Sequence, residues 1–194
     1  MKSVLISINP KWCELIASGK KTIEVRKTMP KLDTPFKCYI YCTKSKYVFN
    51  LYDRFINKEN EILGKVIGEF VCKKIDRIVH CGTSNNNITL KIFLENFYVK
   101  GLDYEYISRC NMSHVNLERY SCGGDIYGWH ISDLKMYDEP KELSEFFKPC
   151  KYGEESEHSC WQCGRLGYSV DFNIDCKKEI TRPPQSWCYV EERI

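Results

Sequence analysis

Nowhere in its 194 residues does the sequence hold the roughly 18 consecutive apolar side chains that a membrane-spanning helix needs. The opening stretch MKSVLISIN turns polar too soon for a secretory leader, so a cytosolic protein with no membrane partner is expected. No internal repeat and no low-complexity tract is present. Charge of one sign is also scarce: 29 basic against 26 acidic residues leave a net +3. That balance suits a solvated, mixed-charge surface and by itself points to no nucleic-acid partner. What the chain does have is apolar residues at 43%, which excludes disorder, and aromatics at 13%, including 13 Tyr. Aromatic faces serve stacking as well as packing. The length fits one domain with insertions, or one domain plus a small module.

Twelve cysteines in a reducing compartment do not read as a disulfide framework. Seven (Cys13, Cys38, Cys42, Cys72, Cys81, Cys110 and Cys122) are scattered and read mostly as small reduced residues of core or surface. The other five follow residue 149.

Val4 to Ile8 reads as a buried strand, stopped by Asn9-Pro10, a cap and a first-turn proline for a helix. Trp12, Leu15 and Ile16 share one face of that helix, and Gly19 ends it. A strand follows from Lys21 to Arg26, with Ile23 and Val25 on one face and Thr22, Glu24 and Arg26 on the other. Further strands are expected at Phe36 to Cys42 and Gly64 to Ile78, the latter with Val66, Phe70 and Cys72 on one face. Residues 79 to 86 read as a loop, and 88 to 98 are ambiguous, with helical spacing of Leu90, Phe93, Leu94 and Phe97. Ser113 caps a helix to about Tyr120, ended by Cys122-Gly123-Gly124. Ile126 to Tyr137 alternates as a core strand, Glu142 to Phe147 reads as a short helix, and SWCYV at Ser186 to Val190 as a closing strand. Short strands with segregated helices predict an α+β fold around a curled sheet or small barrel.

Gly19 to Arg26 fits G-x-K-x-x-E-x-R. Glu24 and Arg26 project from the same strand face, where a carboxylate can accept an N–H of a base and an arginine can hold that carboxylate or clamp a phosphate. An ordinary surface ion pair on an exposed strand, worth about 0–1 kcal/mol, would use the same residues.

The stretch SINPKWCELIASGKKTIEVRKTMP resembles the N-terminal signature of ASCH domains. GKVIGEFVCKKI resembles the family's central strand, and IYGWHISDLKMYDEPKELSEF with RPPQSWCYVEE resembles the closing strands of longer members common in phage genomes. Residues 84 to 112 and 150 to 180 match least and read as insertions. The resemblance implies a PUA-like small curled β-barrel with flanking helices over residues 1–149, closed by a strand within 181–194. It also implies a cleft for RNA, a nucleobase or a nucleotide, lined by Lys21, Glu24 and Arg26. Tyr127 and Trp129 are candidates to stack on the base, with His130 a further candidate on the opposite face of the same strand. For Trp129 core packing, and for His130 a satisfied buried histidine, are equally open readings.

Some small members of the family are amidohydrolases acting on a modified cytidine, with a threonine nucleophile where this chain has Glu24, and others are described as metal-dependent ribonucleases. A carboxylate does not readily replace that threonine, because its acyl product is a mixed anhydride. Thr22 shares the strand face, and Lys21 with Glu24 could form an acid–base pair. Binding without turnover is the leading expectation, and a hydrolase using the same cleft the alternative.

Cys150, Cys160, Cys163 and Cys176 give C-x9-C-x2-C-x12-C, with His158 as a substitute ligand. The C-x2-C knuckle is a tight zinc-ligand spacing, and residues 150–180 hold few aliphatic side chains to order them otherwise. A structural zinc is expected there. Free thiols, or a redox pair at Cys160 and Cys163, are the alternatives. Cys188 reads as a core residue.

Overall fold

The computed structural model describes residues 2–45, 59–84, 87–93, 99–149 and 180–192. The chain opens with β1 (Ser3–Ile8), α1 (Pro10–Ala17), β2 (Ile23–Arg26) and β3 (Phe36–Cys42). A single turn, α2 (Glu59–Ile62), precedes the long β4 (Val66–Ser84), then β5 (Asn87–Phe93) and β6 (Val99–Gly101). Two helices, α3 (Tyr104–Cys110) and α4 (His114–Ser121), lead to the long β7 (Ile126–Lys141), and β8 (Phe146–Phe147) and β9 (Trp187–Glu192) complete the order. None of the described helices is long and apolar enough to cross a membrane.

The strands form one connected sheet in the order β2-β7-β4-β3-β1-β9-β8, with β5 and β6 extending from β4. β1 and β3 run parallel, whereas β2 against β7 and β1 against β9 are antiparallel. β1 is buried at every position, so its nearly continuous apolar run is what a strand covered on both faces requires. The sheet curls strongly. The Arg26 guanidinium on β2 reaches the Ser7 carbonyl on β1 at 2.7 Å, although three strands stand between them in the hydrogen-bonding order. The Trp129 ring on β7 lies 6.1 Å from that of Trp187 on β9. The expected α+β fold around a curled sheet is present, but among the described residues β2 and β8 end the path without pairing to each other, so the sheet curls without closing into a barrel.

Inside the curl lies a cluster that includes Val4, Ile6, Ile8, Cys38, Ile40, Phe70 and Trp129. The outer face of β2 and β7 buries Ile23, Val25 and Ile126 against Tyr106 and Cys110 of α3 and Leu117 of α4. A third cluster joins Leu5, Tyr39, Tyr41 and Val66 to Phe146 and Val190.

Three local expectations change. β4 continues through the stretch read as a loop as far as Ser84, and pairs with β5, so the ambiguous segment is a strand as far as Phe93. The register of β4 slips between Gly68, opposite Ile40, and Val66, opposite Tyr41. That bulge sends Val66 to the Tyr39–Tyr41 cluster and Ile67 to the side of Phe70, the reverse of strict alternation. The expected helix at 142–147 is one 3-10 turn, Leu143–Glu145, followed by β8.

Candidate functional site

Asn9 accepts the Lys11 N–H at 3.1 Å and Pro10 opens α1, so the helix starts where its caps place it. Gly19 takes φ +73°, a turn that favours glycine, and the Lys21 N–H then donates to the Leu15 carbonyl at 2.9 Å. The turn delivers Lys21 beneath α1 instead of into solvent. Its Nζ donates to the Cys110 carbonyl at the end of α3 at 2.6 Å and stands 5.0 Å from the centre of the half-buried Trp12 ring.

Along β2, Glu24 pairs with Trp129 of β7 and Arg26 with Tyr127. Directly opposed residues share a face, so all four side chains enter the curl. Lys21, Glu24 and Arg26 are buried at 2%, 5% and 8% exposure, which excludes the surface ion pair as their arrangement. Lys21 Nζ lies 3.4 Å from Glu24 Oε2, and Arg26 Nη2 lies 3.0 Å from Glu24 Oε1. The three residues brought together are those of the motif.

The cluster is incompletely satisfied. Glu24 Oε2 faces Lys21 without hydrogen-bonding geometry, and Arg26 Nε and Trp129 Nε1 also lack partners. A buried polar atom left unpaired costs about 1–3 kcal/mol, so an acceptor and two donors on one interior face describe a place where a polar guest would be held. Trp129 itself is fully buried, edge-on to Phe36 at 5.9 Å. It forms the floor of the cluster, while Tyr127 is half-buried beside it.

The neighbouring thiols are packing groups. Burial, aided by a hydrogen bond with the Cys42 thiol, holds the Cys13 thiol well above its usual range, and burial raises Cys38 likewise. Burial also pushes Cys72 up to about 12. Among the described residues Cys13, Cys38, Cys42, Cys72 and Cys110 are buried and free, Cys122 is exposed and Cys188 is half-buried in the third cluster.

His130 points the other way, as alternation requires. Its Nε2 lies 2.6 Å from Asp76 Oδ2, and its Nδ1 lies 3.3 Å from Arg109 Nη2. Arg109 Nε also donates to Thr22 Oγ1 at 3.1 Å, so Thr22 is held by α3 and not by a base. Burial disfavours the Asp76 carboxylate, but hydrogen bonds from His130 and Lys74 outweigh it and lower its pKa to about 2.

Several participants carried no sequence signal. Trp12 read as an ordinary helix-face residue, Tyr120 as the end of α4, and the Ser7 and Cys110 carbonyls are backbone. Tyr120 lies near enough for the charges of Arg26 and Glu24 to act on its hydroxyl, whose pKa burial raises. The segment that matched the family least supplies the Cys110 carbonyl and Arg109. Cys150, Cys160, Cys163, Cys176 and His158 lie outside the described residues.

Among solved structures the chain is similar to a point variant of ZmASCH from Zymomonas mobilis, at 17% identity and a TM-score of 0.51 over 98% of this chain and 91% of that one. It is likewise similar to ASCH from Zymomonas mobilis, at 17% identity and 0.51 over 97% of this chain and 87% of that one. No family model matches the sequence, and no curated protein matches it significantly.

Proposed function

From the premise that this chain has the ASCH-domain fold, we propose that it binds RNA, or a nucleobase or nucleotide, through Lys21, Glu24 and Arg26. The observation that carries this reading is the buried Lys21–Glu24–Arg26 cluster, in which Glu24 Oε2 and Arg26 Nε have no hydrogen-bond partner. The Watson–Crick edge of each nucleobase sets a donor beside an acceptor, so it can meet both of those groups. Tyr127 flanks the guest and Trp129 floors it.

The test is calorimetry with a panel of nucleosides and nucleotides. At least one should bind, and Glu24→Gln or Arg26→Ala should weaken it by about 1.5–3 kcal/mol, the worth of a charge-assisted contact. Unchanged affinity in both variants would sink the reading. A second reading is hydrolysis of a modified nucleoside or of RNA, favoured by the 3.4 Å approach of the Lys21 ammonium to the Glu24 carboxylate. Mass spectrometry of the same panel separates it, since turnover changes a mass and binding does not.

The zinc proposal rests on the sequence alone. Cys150, Cys160, Cys163 and Cys176 would supply four thiolates and a closed structural site. Protein purified without chelator should carry one equivalent of zinc, and Cys163→Ser should lower that content while leaving nucleoside binding intact.

A further inference from the structure

On and beside β3, β4 and β7 most of the described cationic side chains are matched by acids, Lys135 excepted. Lys37 pairs with Glu69 at 3.3 Å, Lys65 with Glu142 at 2.9 Å, Lys73 with Asp133 at 2.9 Å, Lys74 with Asp76 at 2.8 Å and Arg77 with Asp125 at 2.6 Å. Around the motif they are not. Between Asn9 and Lys31 the acids are Glu14 and Glu24, and both are buried. Lys11, Lys20, Lys27 and Lys31 of the same stretch are exposed, and among the described residues no carboxylate lies within 4.0 Å of any of them. Unmatched like charges repel one another, and a polyanion relieves that repulsion.

These cations frame two half-buried rings. Lys11 Nζ stands 5.1 Å from the centre of the Trp12 ring, with Lys21 Nζ at 5.0 Å from the same ring. Lys27 Nζ stands 5.4 Å from the centre of the Tyr120 ring. The charged cluster joins the two: Lys21 meets Glu24, Glu24 meets Arg26, and the next residue, Lys27, places its ammonium over Tyr120. These contacts connect a cation, a ring, the buried polar cluster, a second ring and a second cation. A lone nucleoside has no phosphate for the outer lysines, and a duplex hides its base faces from the rings. A single strand offers both, and stacking rings within a cationic groove are the means by which single strands are held.

We propose that Lys11, Trp12, Tyr120 and Lys27 form a track for a single-stranded polynucleotide. One base enters the Lys21–Glu24–Arg26 cluster, its neighbours stack on Trp12 and Tyr120, and the flanking phosphates meet Lys11 and Lys27. The proposal rests on the nucleobase reading above and narrows it to a strand.

The test measures binding of the full chain to a labelled mixed-sequence RNA of about 12 nucleotides, within the span such grooves occupy. Its duplex with the complement and the four ribonucleosides are the comparison probes. The strand should bind more tightly than any nucleoside and more tightly than the duplex. Lys11→Gln/Lys27→Gln should lower the slope of log affinity against log salt by about 1.4, two contacts at about 0.7 each, a loss of about 25-fold at 0.1 M salt. Nucleoside affinity should stay unchanged in that variant, and Lys37→Gln/Lys73→Gln, on the matched face, should leave strand binding unchanged. Tyr120→Leu, checked for an unaltered melting temperature, should weaken the strand and the duplex unequally. An unaltered salt slope in the Lys11/Lys27 variant, equal losses in the Lys37/Lys73 variant, or duplex binding as tight as strand binding would overturn the track. If nucleosides bind in a Glu24-dependent way and the strand gains nothing over them, the track fails while the nucleobase reading stands; if neither binds, both fail.

Discussion

On one face of β2, Ile23 and Val25 sink into an aliphatic cluster roofed by α3 and α4. On the other face of the same four residues, Glu24 and Arg26 are almost as deeply buried, yet in place of hydrocarbon they meet a lysine, a guanidinium and a carboxylate with atoms left unpaired. Burying Ile23 stabilises the chain by about 1.5–3 kcal/mol of transfer free energy. A buried ion cluster gives back much of its attraction as lost hydration, and hydrophobic replacements of similar volume often match or exceed it in stability. The outer face therefore has the composition that stability favours, and the inner face the composition that a polar guest favours.

The largest expected effect comes from unbalancing the inner face. Glu24→Ala leaves Lys21 and Arg26 buried without their counter-charge and should cost about 3–5 kcal/mol of unfolding free energy in a denaturant titration. Replacing all three charges, Lys21→Met/Glu24→Leu/Arg26→Met, should leave stability unchanged or raise it by about 1–4 kcal/mol while abolishing binding. A triple variant as unstable as Glu24→Ala would show that the cluster holds the fold and would erase the contrast.

A smaller effect is expected on the outer face at Gly128, opposite Val25. A methyl group there would collide with the Tyr106 hydroxyl of α3. Gly128→Ala should cost about 1–3 kcal/mol through overpacking, and Tyr106→Phe in the same background should recover part of it.

The smallest effect is a pH dependence. The Asp76 carboxyl, held at about 2 against an ordinary 3.8, binds its proton less readily folded than unfolded. Its contribution to stability is complete above about pH 4 and declines as pH falls toward 2. Unfolding followed between pH 5 and 2 should show that decline, and Asp76→Asn should flatten it.

Local rules carried much of this architecture. The Asn9-Pro10 signal starts α1 where expected, Phe36 to Cys42 is β3 residue for residue, and Ser113 caps α4 through the Asn116 N–H at 3.2 Å. The two-residue period of β2 also placed Glu24 and Arg26 together and, with β7, put Tyr127 and Trp129 on one face and His130 on the other. What period alone does not convey is whether a strand face looks inward, and here the charged face does, because the sheet curls over it. α3 escaped notice because it is short and buries only Tyr106 and Cys110, with Ile107 partly buried beside them, which leaves no long apolar stripe. In β5, Leu90 and Ile92 are buried in alternation with Lys91, but Phe93 and Leu94 beside them imitate a helical stripe. The bulge at Val66–Gly68 appears in the pairing with both β3 and β7, and Gly68 is its one local signal.

β1 is held on one side by β3 and on the other by β9, and the Ser7 N–H and hydroxyl donate to the Ser186 and Pro184 carbonyls at 2.9 and 2.7 Å. Roughly 180 residues separate the partners of that second ladder. At about 5–20 residues per second, a ribosome needs roughly 10–40 s to deliver β9 after β1 has emerged. Throughout that interval Val4, Leu5 and Ile6 present an unpaired apolar edge, the kind of segment that other nascent chains can add to. Of the described strands, the one made earliest is thus among the last to be completed, and a chaperone that shields β1 until β9 has been made should raise the yield of folded protein more than one that binds only afterwards.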